Sequence, residues 1–193
     1  MIDSGWFARE LPSQLVDLIR KAEFSAIGID APRCSVPSPR PWFWDGSKQC
    51  WRRRSKERGA GRHCEVVIKA HGLGNPQWSP LESDEIPPWM NLGFELFQAF
   101  SVLDRVRVDE VFPTASYACL SGKQSPQLRI DLSSFKPGPK DLLDSSVAAL
   151  TVREFVQGRG QEVGGGDGLG SIVLPRKLDS PISKVLQWPD SSE

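Results

Sequence analysis

Residues 24–32 read FSAIGIDAP, an apolar run that stops on one carboxylate, Asp30, with a proline two positions later. A short continuous apolar run is the mark of a strand buried in a parallel sheet, and in open α/β sheets ligands gather at the carboxyl ends of such strands. Asp30 stands at that end. Asp and Pro are also turn formers, so the same residues read equally well as the close of the strand. Upstream, Leu11, Leu15, Leu18, Ile19 and Ala22 recur at helical spacing and Pro12 suits a first turn. An amphipathic helix therefore feeds the strand, and the expected fold class is α/β.

Outward from this unit the pattern alternates between irregular and regular stretches. Four prolines between 32 and 41 break regular structure before PWFWDG and the basic run WRRRSKER. EVVIKA (65–70) suits either a strand or a helix, and PQWSPLESDEIPP (76–88) is loop-like. WMNLGFELFQAFSVL then places Leu92, Leu96, Phe97 and Phe100 on one helical face, and VRVDEVFP alternates before stopping at Pro113, as a second strand would. KDLLDSSVAALTVREFVQG follows the turn-forming KPGPK, carries acids in its first turns and ends on Gly158, the signature of a capped helix. EVGGGDGLGSIVLP is a glycine-dense loop running into a strand. It lacks the Lys-Ser/Thr pair of a phosphate loop and does not open a helix. The tail RKLDSPISKVLQWPDSSE is polar and weakly patterned, so residues 1–175 are expected to form one domain and 176–193 a peripheral or partly disordered extension.

The chain has 193 residues, enough for one ordinary domain, and its 24 basic and 24 acidic side chains cancel. No global positive field draws it to nucleic acid or anionic membrane. The sequence holds neither an apolar run long enough to span a bilayer nor a signal-peptide pattern, and the cytoplasm is the expected location. Cys34, Cys50, Cys64 and Cys119 are scattered without a C-x-x-C pair, as reduced thiols would be.

Three elements bear carboxylates: Asp30 after one strand, Asp109 and Glu110 on another, and Asp141 and Asp144 three apart at a helix start. Acids in a first turn also compensate the helix dipole without any further purpose. Clustered carboxylates can hold hard cations such as Mg²⁺, which activate water and neutralise phosphate charge. The run Arg52, Arg53, Arg54, Lys56 and Arg58, flanked by Trp42, Trp44 and Trp51, could grip phosphates while the rings stack on bases. It also fits a solvated charged helix whose tryptophans cover the core. His63 and His71 receive no role.

In chain order, IGIDAP, GRHCEV, WMNLGFELFQAF, DEVFPTASYACLSG, LLDSSVAAL and DGLGSIVLP resemble the DUF429 family of predicted nucleases, assigned to the ribonuclease H-like superfamily. The likeness covers most of residues 24–175. It implies a mixed sheet flanked by helices and a divalent-metal site using Mg²⁺ or Mn²⁺ to hydrolyse phosphodiester bonds of DNA or RNA. It also implies catalytic Asp30, Glu110 and Asp144, with Asp30 and Asp144 as metal ligands. Arg52, Arg53, Arg54 and Trp51 are the expected nucleic-acid contacts. The superfamily begins with a three-stranded meander bearing a further metal-binding Asp, whereas only MIDSGWFARE precedes the first helix here, too short for three strands. Asp3 lacks the apolar surroundings of a strand. The expectation is an N-terminally incomplete version of the fold with weakened catalysis. FSAIGID would then present an open edge that self-associates, recruits another polypeptide or is covered by the chain's own N-terminal residues. The alternative from another class is a catalytically inactive nucleic-acid-binding or protein-interaction module on the same scaffold.

Overall fold

The computed structural model describes residues 4–54, 59–121 and 140–189, with side chains from residue 11 onward. Its elements run α1 (Ser4–Lys21), β1 (Ala26–Ile29), β2 (Trp42–Asp45), β3 (Cys50–Arg53), α2 (His63–Ala70), α3 (Pro88–Phe100), β4 (Arg107–Val111), α4 (Pro113–Leu120), α5 (Lys140–Val156), β5 (Gln161–Gly164), β6 (Ser171–Leu174) and α6 (Ser183–Leu186). β1, β4, β6 and β5 lie side by side in that order, the first three parallel and β5 antiparallel to β6. This is an α/β fold with a mixed sheet flanked by helices. β2 and β3 form a separate antiparallel hairpin. No described helix is long and apolar enough to cross a membrane.

Strand alternation decides which helices cover which face. Ile29, with Ile27 beside it, turns toward Val16 and Ile19 of α1 and Phe97 and Phe100 of α3. Farther along the sheet Ile172 and Leu174 of β6 and Val163 of β5 meet Val66, Val67 and Ile68 of α2. On the other face Val111 and Val173 pack against Ala148 and Val152 of α5, with Ala26 beside them. Gly28 belongs to that second face. A Cβ there would sit 2.9 Å from Val152 Cγ2 and 3.0 Å from the Ala148 carbonyl oxygen, so the missing side chain lets α5 lie directly on β1.

Several local expectations resolve differently in three dimensions. EVVIKA is helical: Glu65 at the third helical position accepts from the Arg62 backbone N–H (3.1 Å) and Asp167 accepts from that of His63 (2.6 Å), so two free donors at the helix start are met by carboxylates. α1 begins at Ser4, which leaves Pro12 inside the helix rather than in its first turn. The glycine stretch is a hairpin, since Gln161–Gly164 pairs with Ser171–Leu174 as an additional strand. Most of the tail is packed, not peripheral. Leu178, Ile182 and Leu186 lie against the α2 side of the core and Val185 is fully buried within it. The described part of the basic run is a β-strand rather than a helix, and Lys56 and Arg58 lie outside the described residues. Asp3 lies outside them as well.

Candidate functional site

At the carboxyl end of β1 the chain turns at Asp30, which continues the face of Ala26 and Gly28 and therefore looks toward α5. The close seat of α5 on Gly28 brings the start of that helix to the same place. Asp30 remains exposed as a residue, yet its carboxyl is pushed up to about 6, first by partial burial and then by the neighbouring Asp144, with Lys140 opposing and Asp141 adding to the rise. Asp30 thus feels the charge of Asp144, 114 positions away in sequence.

Asp144 is itself held from two sides. The Tyr117 hydroxyl on α4 donates to its Oδ1 at 3.0 Å, and Lys140 Nζ, one turn earlier on α5, lies 3.6 Å from its Oδ2. Burial and the two aspartates push the Tyr117 hydroxyl up to about 12, so it stays protonated and acts as a donor. Asp141 is exposed. A cleft of about 280 Å³ opens beside Asp30 at the ends of β1 and β4, with Asn75, Gln77, Trp89 and Thr114 among its walls.

Glu110 occupies a different position. It pairs in register with Ile29 and Ile172 and so faces the α2 side of the sheet. There Arg62, fully buried, donates through Nη1 to Glu110 Oε2 at 2.7 Å and through Nη2 to Oε1, while the Arg33 backbone N–H adds 2.9 Å to Oε2. The same guanidinium donates to Glu65 Oε1 from Nε (3.1 Å) and Nη2 (2.9 Å), and Ser79 completes the cluster on Glu65 through its backbone N–H (3.0 Å) and hydroxyl. Both Glu110 oxygens are thus engaged by protein donors, and a metal would have to displace a buried arginine to reach them. Asp109 faces the opposite way and accepts from Arg107 at 2.7 and 2.9 Å.

The expected nucleic-acid contacts lie on the β2–β3 hairpin. Arg52 is exposed and ion-paired with Asp45 at 3.2 Å, while the Arg53 and Arg54 guanidinium groups lie 4.8 Å above the Trp42 ring and 5.8 Å from the Phe43 ring. Trp51 is committed elsewhere. Its ring meets Trp44, Trp188 and His63 edge-on at 5.2–5.7 Å, and its Nε1–H donates to the carbonyls of Lys184 (2.9 Å) and Gln187 (2.8 Å). It anchors the tail. His63, also internal, accepts at Nδ1 from the Gly166 N–H (3.1 Å) and donates from Nε2 to the Val185 carbonyl (2.8 Å), and burial lowers its pKa.

The residues missed from the sequence are Tyr117, Lys140 and the Arg62–Glu65–Ser79 network. Only Lys140 carried a readable signal, the i,i+4 spacing to Asp144. No group of three or more His, Cys, Asp or Glu side chains among the described residues is arranged to hold a metal. Compared with protein-family models, with curated proteins and with solved structures, the chain finds no significant match.

Proposed function

We propose that the chain is a divalent-cation-dependent phosphodiester hydrolase acting on nucleic acid, with Asp30 and Asp144 as the residues that hold the cation. The observation supporting this reading is Asp30 at the carboxyl end of a parallel strand, lining a cleft, with its proton affinity raised by burial and by the charge of Asp144. The resemblance of segments in residues 24–175 to the DUF429 nucleases points to the same chemistry. Two carboxylates suit Mg²⁺ or Mn²⁺, which complete their shell with water and substrate phosphate oxygens, better than they suit Zn²⁺. A bound cation would supply charge neutralisation at the phosphate and a more acidic water.

The chain's own groups would divide the remaining work. Tyr117 fixes the rotamer of Asp144 through its donated hydrogen bond, and Lys140, whose side chain is largely exposed, can leave Asp144 for a substrate phosphate. Without the cation, the carboxylate form of Asp30 predominates above about pH 6. Glu110 enters this proposal as a structural residue, because Arg62 occupies it. Arg52, Arg53 and Arg54 offer a cationic edge for the phosphates of a bound strand.

The test is cleavage of single- and double-stranded DNA and RNA with Mg²⁺ or Mn²⁺, alongside calorimetric titration of Mn²⁺. Asp30→Asn and Asp144→Asn are each expected to lose cation binding and to lower cleavage at least about 100-fold, roughly 2.7 kcal/mol of transition-state stabilisation. Salt titration of strand binding reads the arginines, since each duplex phosphate that an arginine no longer neutralises lowers the slope by about 0.9. Strand binding without any cation-dependent cleavage would instead establish the non-catalytic module, a reading favoured by the absence, among the described residues, of any group of three or more His, Cys, Asp or Glu side chains arranged to hold a metal.

A further inference from the structure

The cleft at Asp30 has further walls to which cation binding assigns no part: Trp89, Asn75 and Gln77, all three exposed. Trp89 stands one turn before Gly93 on α3, and a Cβ at Gly93 would overlap the Ala31 methyl and lie 3.2 Å from the Pro32 carbonyl oxygen. The helix therefore seats directly on the turn after Asp30, and Trp89 is anchored beside that carboxylate. Asn75 and Gln77 belong to a loop pinned on both sides. Before them the Leu73 N–H donates to the Ile68 carbonyl at 3.1 Å; after them the Ser79 N–H donates to Glu65 at 3.0 Å and the Pro80 carbonyl accepts from the Val36 N–H at 2.8 Å. Gly74 lies so near the junction of β4 and α4 that a Cβ there would sit 2.9 Å from Phe112 Cε1 and 3.0 Å from Thr114 Cγ2. Both amides are thus carried on a fixed backbone.

Among the described residues, none of the three side chains is engaged in a hydrogen bond or a ring contact. The cleft measures about 280 Å³. Sites that enclose a drug-sized ligand run to roughly 300–1,000 Å³, so the space suits a single ring system. Its described charged walls are Asp30, Glu65 and Glu110, the last two held by Arg62, and these do not attract a phosphate. A neutral planar group with donors and acceptors on its edge fits an indole and two primary amides. A nucleobase is such a group. Its own phosphate, one sugar away, would then lie at the mouth of the cleft, on the Asp30 side.

We propose that this cleft is a base-binding subsite, in which one unstacked base of a single-stranded nucleic acid lies against the Trp89 ring and is read at its edge by the Asn75 and Gln77 amides. The inference rests on the Asp30–Asp144 reading and narrows its substrate to single strands. A paired base has first to be unpaired and unstacked, at a cost of a few kcal/mol, whereas a single strand presents its bases for stacking on aromatic rings.

Fluorescence anisotropy on the full chain in EDTA would titrate labelled single-stranded decamers of dA, dC and dT and a labelled ten-base-pair duplex. At least one single strand is expected to bind with Kd below roughly 100 μM and at least about tenfold more tightly than the duplex. Trp89→Ala should weaken that binding at least about fivefold and Trp89→Phe should restore most of it. Asn75→Ala combined with Gln77→Ala should reduce the differences in affinity among the three decamers. These side chains are exposed, so the variants should melt with the wild type. Deoxyadenosine, deoxycytidine and thymidine present the same bases without a strand, and competition by them as strong as by the decamers would overturn the strand assignment. The proposal is also overturned by no binding of any decamer, by equal binding of the duplex, or by an unchanged Kd in Trp89→Ala. Cleavage plays no part in these readouts. Single-strand binding through Trp89 with no cation-dependent cleavage fails the Asp30–Asp144 reading alone, and cleavage with Trp89→Ala unaltered in binding fails this inference alone.

Discussion

Asp30 and Glu154 are carboxylates displaced in opposite directions. Asp30 rises from 3.8 to about 6, because burial and Asp144 disfavour its charge. The stabilising effect of its proton is complete below about pH 4 and is lost as pH rises through 6. Asp30→Asn, which is neutral at every pH, should therefore be more stable than the wild type at pH 8 and indistinguishable from it near pH 4. Glu154 is buried and accepts from Arg159 (2.5 and 2.6 Å), Arg153 (3.3 Å) and Arg176, and these partners pull it down to about 2. Its contribution is present above about pH 4.5 and fades as pH falls toward 2. Glu154→Gln should destabilise at pH 7 and converge on the wild type in acid. Thermal melting of both variants from pH 3 to 8 checks the pair, and parallel pH trends would overturn the assignment.

The packing of α5 on β1 rests on the absence of one side chain. Gly28→Ala puts a methyl at 2.9 Å from Val152 and 3.1 Å from Val111, with the Ala148 carbonyl equally close, so strand and helix must separate. The expected cost is about 1–3 kcal/mol, measured by chemical denaturation, with loosened coupling between Asp30 and Asp144 seen as a lowered Asp30 pKa by NMR titration. Among the described residues β1 is also an edge, hydrogen-bonded to β4 alone, and beside it runs a groove of about 830 Å³ whose rim carries Leu18, Phe24, Trp89 and Val156, all about half exposed. Asp30 and Arg153 both line this groove, so a twofold that pairs β1 with its copy can set acid opposite base. Sedimentation is expected to show a dimer that Ile27→Lys returns to monomer. A wild-type monomer at 100 μM would overturn this.

Legibility in the sequence follows range of contact. FSAIGIDAP and LLDSSVAAL were readable because a strand end and a helix start announce themselves locally, and the charge of Asp144 reaches Asp30. Glu110 looked equivalent to Asp30 on sequence. Its partner Arg62 lies 48 positions away, and a one-residue difference in strand parity turns it to the other face. The helical outcome at 65–70 was undecidable from EVVIKA because capping by Asp167 comes from 104 residues downstream. The tail looked detached because its few apolar residues carry no period, although each fits a place prepared by the hairpin and α2.

At the scale of the molecule, the α2 core is closed by residues that follow α2 by more than 100 positions. Ile182 donates its N–H to His71 Nε2 at 2.9 Å, Val185 fills the core, and Trp188 packs on Trp51 and His63. Removing residues 181–193 should lower stability by at least about 2 kcal/mol and expose apolar surface to a hydrophobic dye. A truncated chain with unchanged melting and no dye binding would show that this closure contributes nothing. On the ribosome the same arrangement becomes a matter of timing. His63 and the carbonyl that receives its proton are 122 positions apart, and at roughly 5–20 residues per second that separation is about 6–24 s of translation. Throughout that interval the rings of Trp51 and His63 lack the segment that covers them in the finished fold.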